Sequence, residues 1–290
     1  MKKGLRCALL TAFLGLTCSL NVCAKSIFYT NEVGVEMTEL EYNKMVSIFS
    51  ERYVRTLSQE QFDKFKDVNV IDNSSLYEKT TYVNGQVHDV EYISEEAYNK
   101  APDAKVSEDG VVPLDGDYNY VETTYKKLSG TLIHSSNGFA IVGALSWKKV
   151  PYCRSYDVFA FRYNHFSYTS FTGSQVYYVG NSHATINYDT SSPGYKMASN
   201  GNGVSMNLVD GSNITGYELT IVSDLYVNSI GYSRAHAYVA YQHAQSDVTR
   251  DQSKDYTFDI SGYGNVVLFN NSTVASKYDK MAGVHLTTPI

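Results

Sequence analysis

Two of the chain's seven histidines, His236 and His243, fall in one run that reads as a β-strand. Imidazole is a common metal ligand and general base, so two of them in one element suggest a metal centre or a catalytic site. Side chains of a strand alternate between its faces, and a separation of seven residues is odd. Unless a bulge intervenes, the two rings point to opposite faces, and we predict that they share no site.

The two faces of this strand differ in polarity, which predicts where each histidine lies. The odd-numbered positions of 235–241 are the more apolar, so we assign that face to the core. His236 is then expected on a polar face beside Arg234, whose permanent charge disfavours a bound cation. His243 is expected to end the strand near Asp247 and to cap it by a hydrogen bond.

No other pattern in the sequence points to enzymatic chemistry. The zinc motifs H-x-H and H-E-x-x-H and the G-x-S-x-G nucleophile elbow are absent. A glycoside hydrolase needs paired carboxylates, but the sequence does not show which carboxylates meet across a sheet. We predict no catalytic residue, no metal ligand and no cofactor, and the binding residues stay open. The remaining histidines lie in different predicted elements: His88, His134, His165, His183 and His285.

One acidic stretch resembles the first half of a calcium-binding loop, through Asp115, Asp117 and Asn119. Such a loop requires glycine at its sixth position and glutamate at its twelfth. The sequence has Tyr120 and Lys126 there, so we expect no calcium.

The N-terminus predicts export. Three basic residues stand within the first six, an apolar run covers 7–20, and V-C-A at 22–24 is typical of a cleavage site. Residues 1–24 are therefore interpreted as a signal peptide, and a secreted, extracellular protein is expected to begin at Lys25 without a stable membrane span. A lipid anchor on Cys18 or Cys23 is the alternative, but neither follows a small residue of the usual kind.

Cleavage would leave Cys153 as the single cysteine, so no internal disulfide is expected. An unpaired cysteine more often behaves as a small buried side chain than as a nucleophile, and we predict that Cys153 is structural and unreactive. The full chain has 24 basic and 30 acidic residues, which argues against a nucleic acid or an anionic membrane as partner.

Residues 35–66 predict two short helices. Thr38 with Glu41, and Ser58 with Gln61, have the spacing of capping boxes. The apolar face of the first helix must be buried, which favours a helix pair docked on the rest of the chain over a free recognition segment. That face comprises Tyr42, Met45, Val46, Phe49 and Tyr53.

The rest of the chain predicts β-structure. Asn84-Gly85 favours a hairpin over residues 76–93, and the Pro-, Gly- and charge-rich residues 99–119 read as a linker. From residue 120 onward, runs rich in Tyr, Val, Ile, Thr and Phe alternate with turn residues. The predicted strands cover 121–134, 138–148, 156–166, 174–188, 203–209, 214–227, 229–243, 255–260 and 264–270.

These elements predict a mainly β protein, an antiparallel, jelly-roll-like β-sandwich preceded by two short helices and a β-hairpin. A parallel sheet is excluded because its crossover helices are missing. The expected organisation is a signal peptide (1–24), a helical leader plus hairpin (25–98), a linker (99–119) and a sandwich domain (120–290).

Tyrosine is unusually frequent, with 26 residues against a single Trp. Tyr forms strands well, and it also suits wet surfaces that bind sugars or proteins, so both interpretations stay open. Residues 165–188 raise a third, a pore-forming hairpin. Its faces do not keep the apolar alternation that a lipid-facing strand needs.

Four segments together resemble an uncharacterised family of secreted proteins from Gram-positive bacteria: TNEVGVEMTELEYNKMVSIFSERYVRTLSQEQFDKF, LSWKKVPYCRSYDVFAFRY, AYVAYQHAQSDVT and KYDKMAGVHL. The resemblance spans nearly the whole mature chain. It implies secretion, a short helical leader and a β-rich C-terminal domain, and it implies neither an activity nor any site residue.

We therefore expect a secreted, non-enzymatic binding or interaction protein whose ligand is a carbohydrate or a protein surface. An extracellular hydrolase of polysaccharide or peptide is the main alternative, and a β-pore former is the more remote one. A cleft with convergent carboxylates would favour the hydrolase, and a flat aromatic face would favour the binding protein.

Overall fold

A computed structural model describes residues 26–83, 86–102, 121–136, 138–228, 231–259 and 266–290. The predicted signal peptide, the Asn84-Gly85 turn, most of the predicted linker and the calcium-like stretch lie outside these residues.

The segment from residue 26 to residue 68, called the leader below, is mainly helical. Both predicted capping boxes are present, because Thr38 and Ser58 each accept the third backbone N–H of the helix that they begin. The leader contains β1 (Tyr29–Thr30), β2 (Glu36–Met37), α1 (Glu39–Ile48), α2 (Glu51–Val54) and α3 (Gln59–Phe65).

The first predicted helix is interrupted, which the apolar pattern did not show. Phe49 is extended, and Ser50 then caps the separate turn α2 by accepting the Tyr53 N–H at 3.0 Å. The Ser50 hydroxyl also donates to Glu218, 168 residues away, at 2.6 Å. The break therefore depends on a tertiary contact.

The remaining elements include every predicted strand run, with the run 174–188 divided at Gly180 into two strands. They also include elements that the sequence pattern missed, namely three short helices, two short strands and the C-terminal strand. In chain order they are β3 (Asn69–Val83), β4 (Gln86–Tyr92), α4 (Glu95–Lys100), β5 (Val121–Ser135), β6 (Gly138–Trp147), β7 (Tyr156–Asn164), β8 (Phe166–Tyr168), β9 (Thr172–Val179), β10 (Ser182–Asp189), β11 (Tyr195–Ala198), β12 (Gly201–Asn207), β13 (Ile214–Val227), β14 (Arg234–Gln242), α5 (Arg250–Ser253), β15 (Tyr256–Phe258), β16 (Val267–Phe269), α6 (Ser272–Ala275) and β17 (Val284–Pro289).

Two antiparallel sheets face each other, which confirms the predicted β-sandwich. Within the described residues the larger sheet has eight strands in the order β10-β9-β13-β6-β5-β3-β4, with β8 also paired to β13. The smaller sheet has the order β11-β12-β7-β14-β17. The predicted hairpin, β3 and β4, belongs to the larger sheet, and the proposed division into domains stays a prediction.

Buried apolar side chains form three clusters, which stack as layers. The first fills the space between the two sheets. The second lies between the outer face of the larger sheet and the leader. The third lies between the outer face of the smaller sheet and the C-terminal elements α5, β15, β16 and α6. The predicted docking of the leader is therefore correct.

The core assignment for β14 is confirmed on one face and incomplete on the other. Ala235, Ala237, Val239 and Tyr241 lie in the central cluster as predicted. The opposite face is not polar throughout, because Tyr238 is buried in the third cluster under the C-terminal elements.

None of the helices in the described ranges has both the length and the apolarity needed to cross a membrane.

Candidate functional site

A cavity of about 430 Å³ opens where the leader meets the larger sheet, and we call it the leader cleft. Helix α1 and the residue that follows it form one wall, strands β3 and β5 form the floor, and the start of α4 closes one end. Its volume falls in the range of about 300–1,000 Å³ that is typical of small-molecule sites. It is lined by Val46, Ser47, Phe49, Asn73, Ser74, Ser75, Tyr77, Glu95, Lys127 and Ser129.

Strand register places the polar floor of the leader cleft. Ser75 pairs with Ser129 and Tyr77 pairs with Lys127 across β3 and β5. Their neighbour Leu128 belongs to the cluster between the sheets, so these alternate residues face the other way, towards the leader. One face of two adjacent strands therefore presents hydroxyl, phenol and ammonium groups to one space.

The wall opposite is tied to the floor by the Asn73 side chain. Its Nδ2 donates to the Ser47 carbonyl at the end of α1. This bond joins the leader to β3 beside the cavity, so the shape of the leader cleft depends on the docked leader.

Charged groups of both signs line the leader cleft. Burial, and then the hydrogen bond to the Glu95 carboxylate, raise the pKa of Tyr77 to about 12. The Lys127 ammonium lies 5.6 Å from the centre of the Tyr77 ring. Within the described residues no carboxylate forms an ion pair with Lys127. The leader cleft thus offers an ammonium donor to a ligand.

The lining of the leader cleft does not contain the paired carboxylates that glycoside hydrolysis needs. Among its lining residues Glu95 is the single carboxylate, whereas both mechanisms of glycoside hydrolysis use two. The ring faces are also not free platforms, since Tyr77 packs on Tyr98 and Phe49 stacks on Tyr53. A ligand would be held mainly by hydrogen bonds.

The leader is docked through a buried carboxylate. Glu218 of β13 is 3% exposed and accepts hydrogen bonds from the Ser50 hydroxyl of the leader, at 2.6 Å, and from the Ser146 hydroxyl of β6. Burial raises its pKa to about 7. Nearby, the Arg52 guanidinium lies 3.8 Å from the centre of the Tyr178 ring, and the Tyr178 hydroxyl donates to the Arg52 carbonyl at 3.1 Å.

His236 and His243 lie on opposite sides of β14, as the odd spacing predicts. His236 is on the outer face, where its Nδ1 lies 3.0 Å from Nε2 of His285 on β17. The ring centres are 5.2 Å apart and the ring planes differ by 22°, so the rings meet nitrogen to nitrogen. One nitrogen donates to the other, and burial lowers the pKa of both rings, so a neutral pair is favoured.

His243 directly follows the last residue of β14, as expected, and its ring bonds to a residue that is distant in the sequence. Its Nδ1 lies 3.1 Å from Oδ2 of Asp157, at the start of β7. The Tyr241 hydroxyl donates to the same oxygen, and the Ala244 N–H donates to Oδ1 of Asp157 at 2.8 Å. A carboxylate that orients a histidine resembles a catalytic pair, but His243 is only 1% exposed. We interpret this cluster as a hydrogen-bonded part of the core.

A buried ion cluster lies beside it. Lys126 is 1% exposed, and its Nζ lies 2.8 Å from Oε1 of Glu78 and in contact with Asp279. Asp279 also accepts the His243 N–H at 3.0 Å, which joins the two clusters. Burial lowers the pKa of Lys126, but the two carboxylates outweigh it, so the net pKa is raised and the ammonium stays charged.

Cys153 lies in the loop between β6 and β7 and is half-buried, less than expected. Burial, and then Asp157, Asp247 and Asp210, raise the pKa of its thiol to about 11, so very little thiolate forms at neutral pH. In the described part of the chain, no three His, Cys, Asp or Glu side chains are arranged to hold a metal ion.

Neither the leader cleft nor the pairing of His236 with His285 follows from the sequence pattern. The polar run N-S-S at 73–75 precedes the predicted hairpin and Lys127 lies in the predicted strand 121–134, but nothing in the local sequence links them. The cleft exists because β3 pairs with β5 and the leader folds over both. No protein-family model and no curated protein matches the chain, so the resemblance to secreted Gram-positive proteins stays an expectation.

Proposed function

We propose that this protein is a non-enzymatic binding protein that acts outside the cytoplasm and holds a small polyhydroxylated ligand, such as a mono- or disaccharide, in the leader cleft. The observation that supports the proposal is the convergence of a lysine, a glutamate and serine hydroxyls in a cavity of about 430 Å³. Sugars carry adjacent hydroxyls that donate and accept hydrogen bonds, so they match a site with both kinds of group.

Lys127 and Glu95 have complementary parts in this proposal. The ammonium has three N–H donors and the carboxylate has only acceptors. Adjacent ligand hydroxyls can accept from the first and donate to the second. The expected export through residues 1–24 would bring the leader cleft into contact with extracellular glycans.

A glycan array probed with the purified protein, followed by calorimetry on the glycans retained, tests the proposal. Lys127→Met should weaken binding at least tenfold, because the shape of the floor is kept and the donor is lost. Lys79→Met is the matched control, since Lys79 lies on the same sheet but pairs with Glu91. Its affinity should equal that of the wild-type protein.

Two results would refute the proposal. One is an array on which no mono- or disaccharide-bearing glycan is retained. The other is binding that survives both Lys127→Met and Glu95→Gln, since a ligand bound elsewhere would not depend on these groups.

A further inference from the structure

Within the described residues the two sheets end in four edge strands, β4 and β10 in the larger sheet and β11 and β17 in the smaller one, while the three-residue β8 pairs only with β13. An edge strand presents unpaired N–H and C=O groups to other chains. Proteins protect such edges with charges, bulges, proline, short strands or covering groups.

Three of the four edges are protected. Strand β4 carries Asp89 and Glu91, and its pairing with β3 is disturbed by a bulge. Strand β17 contains Pro289, and Oδ2 of Asp72 accepts its Thr287 N–H at 2.8 Å. Strand β11 is only four residues long.

The fourth edge, β10, has none of these devices. It is eight residues long, S-H-A-T-I-N-Y-D, and pairs with β9 without a bulge. It contains no proline, lysine or arginine, and its single carboxylate, Asp189, is the last residue and accepts hydrogen bonds from Ser191. Six of its eight residues are exposed, including Ile186 at 37%.

The backbone groups that face outward from β10 can be assigned. Val179 and Ser182 are opposite each other across a two-residue turn, so Ser182 and every second residue after it bond to β9. The Asp189 N–H, which donates to the Ser192 hydroxyl at 2.9 Å, agrees with this alternation. The N–H and C=O groups of the odd-numbered residues 183, 185 and 187 therefore face outward.

We propose that β10 pairs antiparallel with β10 of a second copy of this chain, around a two-fold axis at Thr185, so that the two larger sheets become one continuous sheet. In this register residue 183 of one copy opposes residue 187 of the other, and Thr185 opposes itself. All outward N–H and C=O groups of the three residues are then paired.

The side chains of β10 are complementary to themselves in the same register, and this favours a second copy over an unrelated peptide. Ala184 opposes Ile186 of the second copy, so the exposed isoleucine gains an apolar neighbour. His183 opposes Asn187 of the second copy, and Asp189 lies beyond the paired residues. No two like charges face each other, whereas opposed like charges destabilise a strand pair.

Sedimentation velocity of the purified protein over a concentration series tests the proposal, with Thr185→Lys and Thr185→Pro as variants. The first places two ammonium groups on the axis, and the second removes an outward N–H that the β9 pairing does not use. Both should raise the dimer dissociation constant at least tenfold with unchanged circular dichroism. Thr185→Val keeps the N–H and should sediment like the wild-type protein.

Cross-linking then tests the register. In a Cys153→Ser background, Thr185→Cys should form a disulfide-linked dimer on oxidation because the two residues face each other. Asp189→Cys should not, since residue 189 of the two copies would lie about 27 Å apart along the strands. A wild-type monomer at all concentrations, or a dimer that survives Thr185→Lys, would overturn the proposal. Glycan binding by the monomeric variants should be unchanged, which separates this test from that of the leader cleft.

Discussion

Glu218 makes the stability of the docked leader dependent on pH. Its ordinary pKa of 4.5 is raised to about 7 by burial. Below pH 4.5 the carboxyl is protonated in both the folded and the unfolded protein. As the pH rises to about 7, the unfolded chain releases the proton more easily, so the free energy of unfolding falls and then levels off.

The first prediction concerns this pH dependence. Between pH 5 and pH 8, Glu218 should lower the free energy of unfolding by about 2–3 kcal/mol, from the size of the pKa shift. The free energy of unfolding, measured with urea, differs between the two pH values in the wild-type protein. In Glu218→Gln this difference should be smaller by that amount. Glu96→Gln, at an exposed ion pair, is the control and should behave as the wild type. An equal pH dependence in Glu218→Gln would contradict the assignment.

The second prediction concerns the buried ion cluster. Lys126→Met leaves the carboxylates of Glu78 and Asp279 buried without their cation, so it should lower the free energy of unfolding by about 3–5 kcal/mol at pH 7. Chemical denaturation measures this change. Lys100→Met removes a surface ion pair whose side chains are 73% and 77% exposed, and it should change stability by less than about 1 kcal/mol. If the two variants lowered the free energy of unfolding equally, burial would not determine how much the Lys126 ion cluster contributes to stability.

The tyrosines show why composition alone left two interpretations open. Tyr217 donates to the Val209 carbonyl, and Tyr278 donates to the Tyr156 carbonyl at 2.8 Å. Ten tyrosines of the described residues are buried, and three of them, Tyr178, Tyr217 and Tyr278, donate their hydroxyls to backbone carbonyls. Composition does not distinguish this use from a binding surface, because both favour an apolar ring with a polar end.

At the scale of the element, the helices of the leader differ in how much local sequence determines them. Thr38 and Ser58 each begin a capping box that the sequence predicts, because the two residues of each box lie three positions apart. Ser50 caps α2 but also bonds to Glu218 on the sheet. The starts of α1 and α3 are therefore determined by local sequence, whereas the start of α2 depends on the folded sandwich.

The third prediction compares these two kinds of cap. Ser50→Ala removes a cap and a hydrogen bond to a buried carboxylate. The free energy of unfolding, measured by thermal denaturation, should therefore fall by about 2–3 kcal/mol. Ser58→Ala removes only an exposed cap and should cost about 1 kcal/mol. If the two losses were equal, the bond between Ser50 and Glu218 would contribute nothing to docking.

At the scale of the whole molecule, glycines set the distance between the sheets. A Cβ atom on Gly143 of β6 would lie 2.8 Å from Cγ1 of Val239 on the facing sheet and 3.1 Å from Phe161. Both contacts come from strands β14 and β7 of the smaller sheet. The glycine therefore allows the sheets to approach closely at the centre of the core.

The fourth prediction follows from this contact. Gly143→Ala should overpack the centre and lower the free energy of unfolding by about 1–3 kcal/mol, measured by chemical denaturation. Gly211→Ala is the control, because a Cβ atom there meets only Ile214 at 3.6 Å, an ordinary contact. A neutral or stabilising Gly143→Ala would show that the sheets can move apart without cost.

The amino-acid sequence by itself determined the features that depend on near neighbours. It predicted the capping boxes at Thr38 and Ser58, the positions of most strands, the sandwich class and the opposite faces of His236 and His243. Each of these follows from backbone periodicity or from bonds between residues a few positions apart. The four-residue strand β11 was missed because its run is too short to show a pattern.

Only the tertiary structure decided which distant groups meet. It paired His243 with Asp157, placed His236 against His285, and buried Glu218 under Ser50. It also covered Tyr238 and brought Lys127 to the polar residues of β3 in the leader cleft. These contacts join residues dozens to more than a hundred positions apart, and they depend on strand order and sheet packing, which side-chain periodicity along one strand does not specify.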